Sequence, residues 1–333
     1  MKSKVLFMAM AVSVLFFTAC EKQLRINDEG NLVAKTVDQD ISLPSISVNN
    51  AKFHAEAFGP IDSPMIVVLH GGPGADYRYL LRSKAFATQG YRVVFYDQRG
   101  AGLSQRFPKS IYTMQLAYND LRAVISHYRT SPTQKVFLLG HSWGAMLAAA
   151  YMNTLPNFPS QTQIQGAVLC EPGGLIWKDV EDYIKRSRKF KYFSETFSDA
   201  VYADQFITGK QDQHAILDYK FNLLTSAESS VIGNEGRLPS WRSGAVTFDA
   251  YLEIGDREKP NWTRNLEHFT TKILFIYSAN NKAYGLSHAQ KVSSVFPNKQ
   301  LFKTENAGHD MLSFDAGWNN TYPTMLAYFN SLR

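Results

Sequence analysis

The chain is predicted to fold as an α/β protein: a mostly parallel sheet flanked by helices, with a helical segment inserted before its last strands. Three observations carry this expectation. Short, near-continuous runs of Val, Ile, Leu and Phe recur at Met65–His70, Arg92–Tyr96, Lys135–Leu139, Gln165–Cys170 and Lys272–Tyr277, which suits strands covered on both faces. Helical patterns lie between them, and such alternation implies parallel strands joined by right-handed crossovers. The alternation then lapses between residues 174 and 269, where aromatic helical segments such as Ile176–Ile184 and Phe197–Phe206 stand in place of strands.

Taken in order, Leu43 to Phe58 reads as an antiparallel hairpin at the sheet's beginning. Thr113 is placed to cap a helix in which Leu116, Leu121, Val124, Ile125 and Tyr128 share one face. Trp143–Leu155, rich in Ala and Met, reads as a helix that stops before Pro156. Gln300–Lys303 reads as the final strand and Asn320–Leu332 as a closing helix. The expected division is a core of residues 42–173 and 270–333, with residues 174–269 as a cap in which substrate selection resides.

With 333 residues, 45% of them hydrophobic, the chain can bury a large core. The 35 Lys and Arg against 29 Asp and Glu give a net charge of +6. That excess is mild and spread along the chain, so no nucleic-acid partner is expected.

The first residues read as a targeting signal rather than part of the fold. Lys2 and Lys4 precede the apolar run Val5–Ala19, and Phe17-Thr18-Ala19-Cys20 follows. The run is shorter than the roughly 20 residues a transmembrane helix needs. It resembles a bacterial lipoprotein signal, which implies cleavage before Cys20, lipidation of that cysteine and a place in the bacterial cell envelope, facing outside the cytoplasm. An ordinary signal peptide or an uncleaved anchor is the alternative. Residues 20–41 are polar and read as a tether. Only two cysteines exist, so lipidation of Cys20 leaves Cys170 without an intramolecular disulfide partner.

Chemistry-bearing motifs sit at the strand ends. Gly140-His141-Ser142-Trp143-Gly144 is a G-x-S-x-G between a strand and an Ala-rich helix. Such an elbow strains and exposes its serine, with a helix N-terminus aimed at developing negative charge. His70-Gly71-Gly72-Pro73-Gly74 follows another strand, and its backbone N–H groups, with that of Trp143, could form the two-donor oxyanion hole that acyl transfer needs. A third motif, Asp97-Gln98-Arg99-Gly100-Ala101-Gly102-Leu103-Ser104, ends the next strand.

These three motifs at these spacings resemble the proline iminopeptidase-like branch of the α/β-hydrolases. The resemblance is strong from Met65 to Tyr151 and resumes more weakly from Lys272 to the end. It implies the α/β-hydrolase fold with a helical cap, Ser142 as nucleophile, and the N–H groups of Gly72 and Trp143 as oxyanion hole. It implies no metal or organic cofactor, and structural roles for Asp97 and Arg99. Among the eight histidines, His309 in Ala307-Gly308-His309 follows the final strand, which is where this fold carries its base. His70 and His141 read as scaffold, and His54, His127, His214, His268 and His288 lack a supporting context.

The acid departs from the family pattern. The stretch after Lys272–Tyr277 reads Ser278-Ala279-Asn280-Asn281-Lys282, so Asn281 stands where the aspartate is usual. Glu171, directly after Gln165–Cys170, is a substitute at the neighbouring strand end. Three readings stay open: a relocated acid at Glu171, a weakened arrangement around Asn281, or an impaired site. The position that holds a substrate amine in some iminopeptidases is Lys282, of opposite sign. Cap acids such as Glu181, Asp182, Glu195 or Asp199 are the remaining candidates for that task. The basic run Lys185–Lys191 reads as a solvated face, with lipid headgroups or an acidic substrate as alternatives.

The expected activity is therefore hydrolysis of a small peptide, amide or ester by a Ser-His-acid triad, most like a proline iminopeptidase. The alternatives are an esterase or amidase of the same fold, or a lipoprotein that binds a ligand without turnover. Membrane contact is expected through the N-terminal lipid only.

Overall fold

A computed structural model describes residues 33–157, 164–187, 214–225 and 230–333. Cys20, Phe197–Phe206, Glu195, Asp199 and the basic run beyond Ser187 lie outside these residues. No helix among the described residues is long and apolar enough to cross a membrane.

Eight strands form one sheet: β1 (Ser45–Val48), β2 (Ala51–Phe58), β3 (Met65–Leu69), β4 (Arg92–Tyr96), β5 (Val136–His141), β6 (Ile164–Cys170), β7 (Ile273–Ser278) and β8 (Lys299–Thr304). Their order is β1-β2-β4-β3-β5-β6-β7-β8. The first two strands are the expected antiparallel hairpin, and β2 also runs antiparallel to β4. Every other pairing is parallel. In β3, β5 and β7 every residue is buried, because helices cover both sheet faces, and this is why those strands read as unbroken apolar runs.

The seven α-helices of the described residues are α1 (Met114–Tyr128), α2 (Trp143–Thr154), α3 (Trp177–Ser187), α4 (His214–Thr225), α5 (Ala245–Glu258), α6 (Gly285–Ser293) and α7 (Asp315–Leu332). Thr113 caps α1 as expected, its side chain accepting from the Leu116 amide at 3.0 Å. Leu116 is only half-buried, and Ala117 and Tyr118 fill the inner face beside Leu121, Val124 and Ile125.

Helix α2 is buried from Trp143 to Met152. Its small residues fit a helix pressed between the sheet and its neighbours. Helix α7 begins before Asn320, at Asp315, and Trp318 in the added turn stacks on Tyr322 and packs against Phe86. A 3-10 segment at Tyr77–Gln89 was not legible as a helix. It buries Tyr77, Leu80, Ser83 and Phe86 at a spacing of three rather than 3.6, and Tyr79 besides.

Alternate residues of β3 feed the two core faces. Met65, Val67 and Leu69 join α1, α2 and α5, while Ile66 and Val68 join Phe86 and Phe329. Between β6 and β7 the described chain is helical, with one isolated bridge between Ile176 and Asn261. Trp143 packs on Tyr251 of α5 at 4.9 Å between ring centroids, so this inserted segment rests on the carboxyl edge of the sheet.

Candidate active site

The parallel ladder sets out the site. His141 pairs with Cys170, and Cys170 with Ile276. One step further, the Ser142 amide donates to the Cys170 carbonyl at 2.8 Å, and the Glu171 amide donates to the Ile276 carbonyl at 3.0 Å. Ser142 and Glu171 therefore follow the last residues of adjacent strands. Both have positive φ, +55° at Ser142 and +43° at Glu171, a conformation that costs about 1–3 kcal/mol for a residue other than glycine. Strain at the serine is what an elbow requires.

The glycines around Ser142 are there for space. A Cβ on Gly144 would lie 2.0 Å from the Leu69 carbonyl oxygen, and one on Gly140 would lie 2.5 Å from that of Gly144. Side chains at either place would push α2 off the sheet and move the serine.

Glu171 Oε2 lies 2.6 Å from His309 Nδ1. The carboxylate is fully buried and takes three further donors: the Ser278 amide at 2.7 Å, the Ser278 hydroxyl at 2.6 Å and Asn281 Nδ2 at 2.7 Å. His309 is held from its backbone too, its amide donating to the Ile232 carbonyl at 2.9 Å. Of the two sequence candidates for a partner of His309, the structure brings Glu171 to it, while Asn281 bonds to Glu171.

The glycine-rich loop closes on the same point. A Cβ on Gly71 would lie 3.0 Å from Ser142 Cβ, so this backbone touches the serine. The Gly71 amide donates to the Tyr79 hydroxyl at 2.6 Å, which leaves the next amide, that of Gly72, as the loop's candidate donor. Trp143 opens α2, and a first helical residue has no carbonyl a turn below to take its N–H. Gln98 ties the two motifs together: its amide nitrogen donates to the His70 carbonyl at 2.8 Å, and its oxygen accepts from Trp143 Nε1 at 3.0 Å.

Tyr79 and His141 extend this scaffold. The Gly71 N–H can only donate and the His309 carbonyl can only accept. The Tyr79 hydroxyl must then donate to His141 Nδ1 (2.9 Å), and His141 Nε2–H donates to the His309 carbonyl (2.8 Å). Burial, and after it the neighbouring charge of His309, pushes the His141 pKa down to about 3. A neutral His141 suits its place 4.7 Å, ring to ring, from His309, since a cation there would oppose an imidazolium.

His141, His309 and Asp310 each bring one ligand atom within 4.8 Å of the others. They make a poor metal site, because both His141 nitrogens, His309 Nδ1 and the Asp310 carboxylate (with Asn234) already hold hydrogen bonds.

Asp97 and Arg99 are placed as scaffold. Asp97 bonds to His54 and to the Tyr77 and Leu103 amides, and Arg99 forms a buried pair with Asp120 at 2.7 Å. Glu181 pairs with Lys259, and Asp182 with Lys178, on solvent-facing sides of the inserted helices. Cys170 is a buried free thiol whose pKa is pushed up by burial and then by the Glu171 charge. Sequence reasoning missed Ser278, Tyr79 and Tyr183. The Tyr183 hydroxyl accepts from Asn281 Nδ2 at 3.1 Å and lies 3.3 Å from His309 Nδ1. Only the ladder register could have pointed to Ser278, and the two tyrosines carry no local signal.

A mostly parallel sheet with an elbow serine, a glycine-rich loop and a late histidine defines a hydrolase of the α/β-hydrolase class. A family model described as serine aminopeptidase S33 matches residues 62–316, and the chain belongs to this proline iminopeptidase-like family. It is 23% identical over 273 residues to the proline iminopeptidase PfmaB of Pestalotiopsis fici, covering 80% of this chain and 92% of that one. Matches to several other curated relatives span less than half of their length.

Among solved structures, the proline iminopeptidase-related protein of Thermus thermophilus superposes with a TM-score of 0.57 at 19% identity, over 87% of this chain and 98% of that one. A thermophilic esterase of Thermogutta terrifontis gives 0.58 at 16%, over 87% and 97%. At these identities the structural likeness speaks for the fold.

Proposed function

We propose that the chain is a serine hydrolase in which Ser142 attacks the substrate carbonyl, His309 takes the serine's proton and Glu171 orients and stabilises the histidine. The observation that carries this reading is the 2.6 Å contact between Glu171 Oε2 and His309 Nδ1, made beside the strained end of the serine's strand. Attack turns His309 into an imidazolium, and the carboxylate at Nδ1 offsets that charge in a water-poor site. The N–H groups of Gly72 and Trp143 are assigned to the oxyanion, each worth about 10²–10³ in rate. His309 then returns its proton to the leaving amine or alkoxide, and water repeats the cycle on the acyl-enzyme.

The substrate class we favour is a small peptide with a free amino end, by likeness to the family. An ester or amide substrate is the second reading. It is favoured by the exposed Lys282, by Glu181 and Asp182 being paired with lysines, and by Glu171 being committed to His309.

A panel of aminoacyl-naphthylamides and short acyl esters, assayed with wild type, Ser142→Ala and Glu171→Gln, tests the assignment and ranks the substrates. Ser142→Ala should abolish turnover without loss of melting temperature, and Glu171→Gln should lower kcat by about 10²–10⁴. A tenth or more of the activity surviving in Ser142→Ala sinks the mechanism. Cys20 is proposed as a lipid acceptor in the cell envelope. Label from a palmitate analogue should disappear in Cys20→Ala, and undiminished label places the anchor elsewhere.

A further inference from the structure

Asn281 stands where the family resemblance leads one to expect an acid, and its amide is fully committed. Its Oδ1 accepts the Ala283 N–H at 3.1 Å. A backbone N–H can only donate, so this bond fixes which end of the amide faces the site. Nδ2 then donates to Glu171 Oε2 at 2.7 Å and to the Tyr183 hydroxyl at 3.1 Å. The oxygen it meets is the same Oε2 that lies 2.6 Å from His309 Nδ1. Glu171 Oε1 is held separately by Ser278. Asn281 is 1% exposed, so both bonds are shielded from bulk solvent.

We infer that Asn281 is a positioning residue that holds Glu171 Oε2 against His309, so that an amide stands in the acid's usual place and the acid stands at the adjacent strand end. The carboxylate is at the end of β6, and the position after β7 supplies the donor that orients it. This inference rests on the Ser142–His309–Glu171 reading.

This arrangement has a consequence opposite to intuition. Asn281→Asp restores the family's usual residue, yet it puts an oxygen where Nδ2 lies, 2.7 Å from Oε2. Two carboxylates that close share a proton or swing apart. The added negative charge also stabilises imidazolium, so less of His309 is the free base at pH 7. In a Glu171→Gln background the same substitution leaves a single carboxylate, with the glutamine amide as its donor. The sign of the effect should therefore depend on residue 171.

The test is the second-order rate at which a fluorophosphonate labels Ser142, which requires no knowledge of the natural substrate. Full-length protein in detergent is used as wild type, Asn281→Asp, Glu171→Gln and the double variant, across about pH 5 to 9, with melting temperature as folding control. Asn281→Asp alone should slow labelling about tenfold or more at pH 7 and move the acid limb of the profile up by about one unit. In the Glu171→Gln background the same change should speed labelling about tenfold.

Faster or unchanged labelling by Asn281→Asp alone overturns the positioning role. So does a double variant no faster than Glu171→Gln at an unchanged melting temperature. Wild-type labelling by Glu171→Gln instead removes Glu171 from the mechanism, so the two failures are told apart.

Discussion

His54 and His309 each meet a fully buried carboxylate through Nδ1, His54 at 2.8 Å from Asp97 and His309 at 2.6 Å from Glu171. A serine lies near each pair as well. Beside His54 it is Ser104, whose hydroxyl accepts the His54 amide at 3.0 Å and donates to the Asp97 carbonyl at 2.6 Å. The outer faces of His54 are closed: its ring stacks on Tyr77 at 5.0 Å and meets the edge of Trp241. Its Nε2 faces the Tyr77 hydroxyl at 3.3 Å, and that hydroxyl donates to Glu56.

The His54 cluster ties β2, the loop after β4 and the 3-10 segment together. His309 sits instead on a loop after β8, with its side chain 12% exposed against 4% for His54. Residue types and one short hydrogen bond are thus common to a brace and to a candidate catalytic pair. What separates them is a strained serine at an open strand end.

Removing each histidine should break this comparison in opposite directions. His309→Ala is expected to lower kcat/KM by about 10³–10⁶, with a melting temperature close to wild type. His54→Ala takes the imidazole from buried Asp97 and leaves it only the Tyr77 and Leu103 amides as donors. It should destabilise the fold by roughly 3–5 kcal/mol, while the folded fraction keeps kcat/KM within a few-fold. Denaturant unfolding and steady-state kinetics on both variants check this. A large kinetic defect in a folded His54→Ala variant would falsify the division.

The same contrast explains what the sequence disclosed. β3 to β7 were legible because burial on both faces leaves little room for polar residues. Ser142 and His309 were legible because each lies in a short local motif with a strand before it. Glu171 could be named from its place at a strand end, since neighbouring ends of a parallel sheet converge. Tyr183 and Ser278 could not, because they reach Asn281 and Glu171 from 98 and 107 residues away in the chain. The 3-10 segment at Tyr77–Gln89 escaped for a different reason, its spacing of three matching neither strand nor α-helix. Helix α6 is short, and Tyr284 at its N-cap makes no side-chain capping bond.

The brace region carries a titration of its own, and it acts on stability where the His309 region acts on rate. Asp76 is buried, and burial, followed by the nearby Asp97 charge, pushes its carboxyl from 3.8 up to about 6. Its Oδ2 accepts the Ser240 hydroxyl and the Trp241 and Arg242 amides, pinning the inserted segment to the start of the 3-10 segment. These donors favour the ionised form, but they do not offset the desolvation. A folded-state pKa above the unfolded one means that the folded protein binds the proton more tightly. The contribution to stability is therefore greatest below about pH 4 and is lost as pH rises to about 6. Asp76→Asn deletes this titration. Wild type should lose about 1–3 kcal/mol relative to Asp76→Asn between about pH 4 and pH 7, the smallest effect of those proposed. Urea unfolding at a series of pH values measures it. A wild-type-minus-variant difference that stays level, or rises with pH, means that the three donors outweigh burial and that Asp76 is ionised throughout.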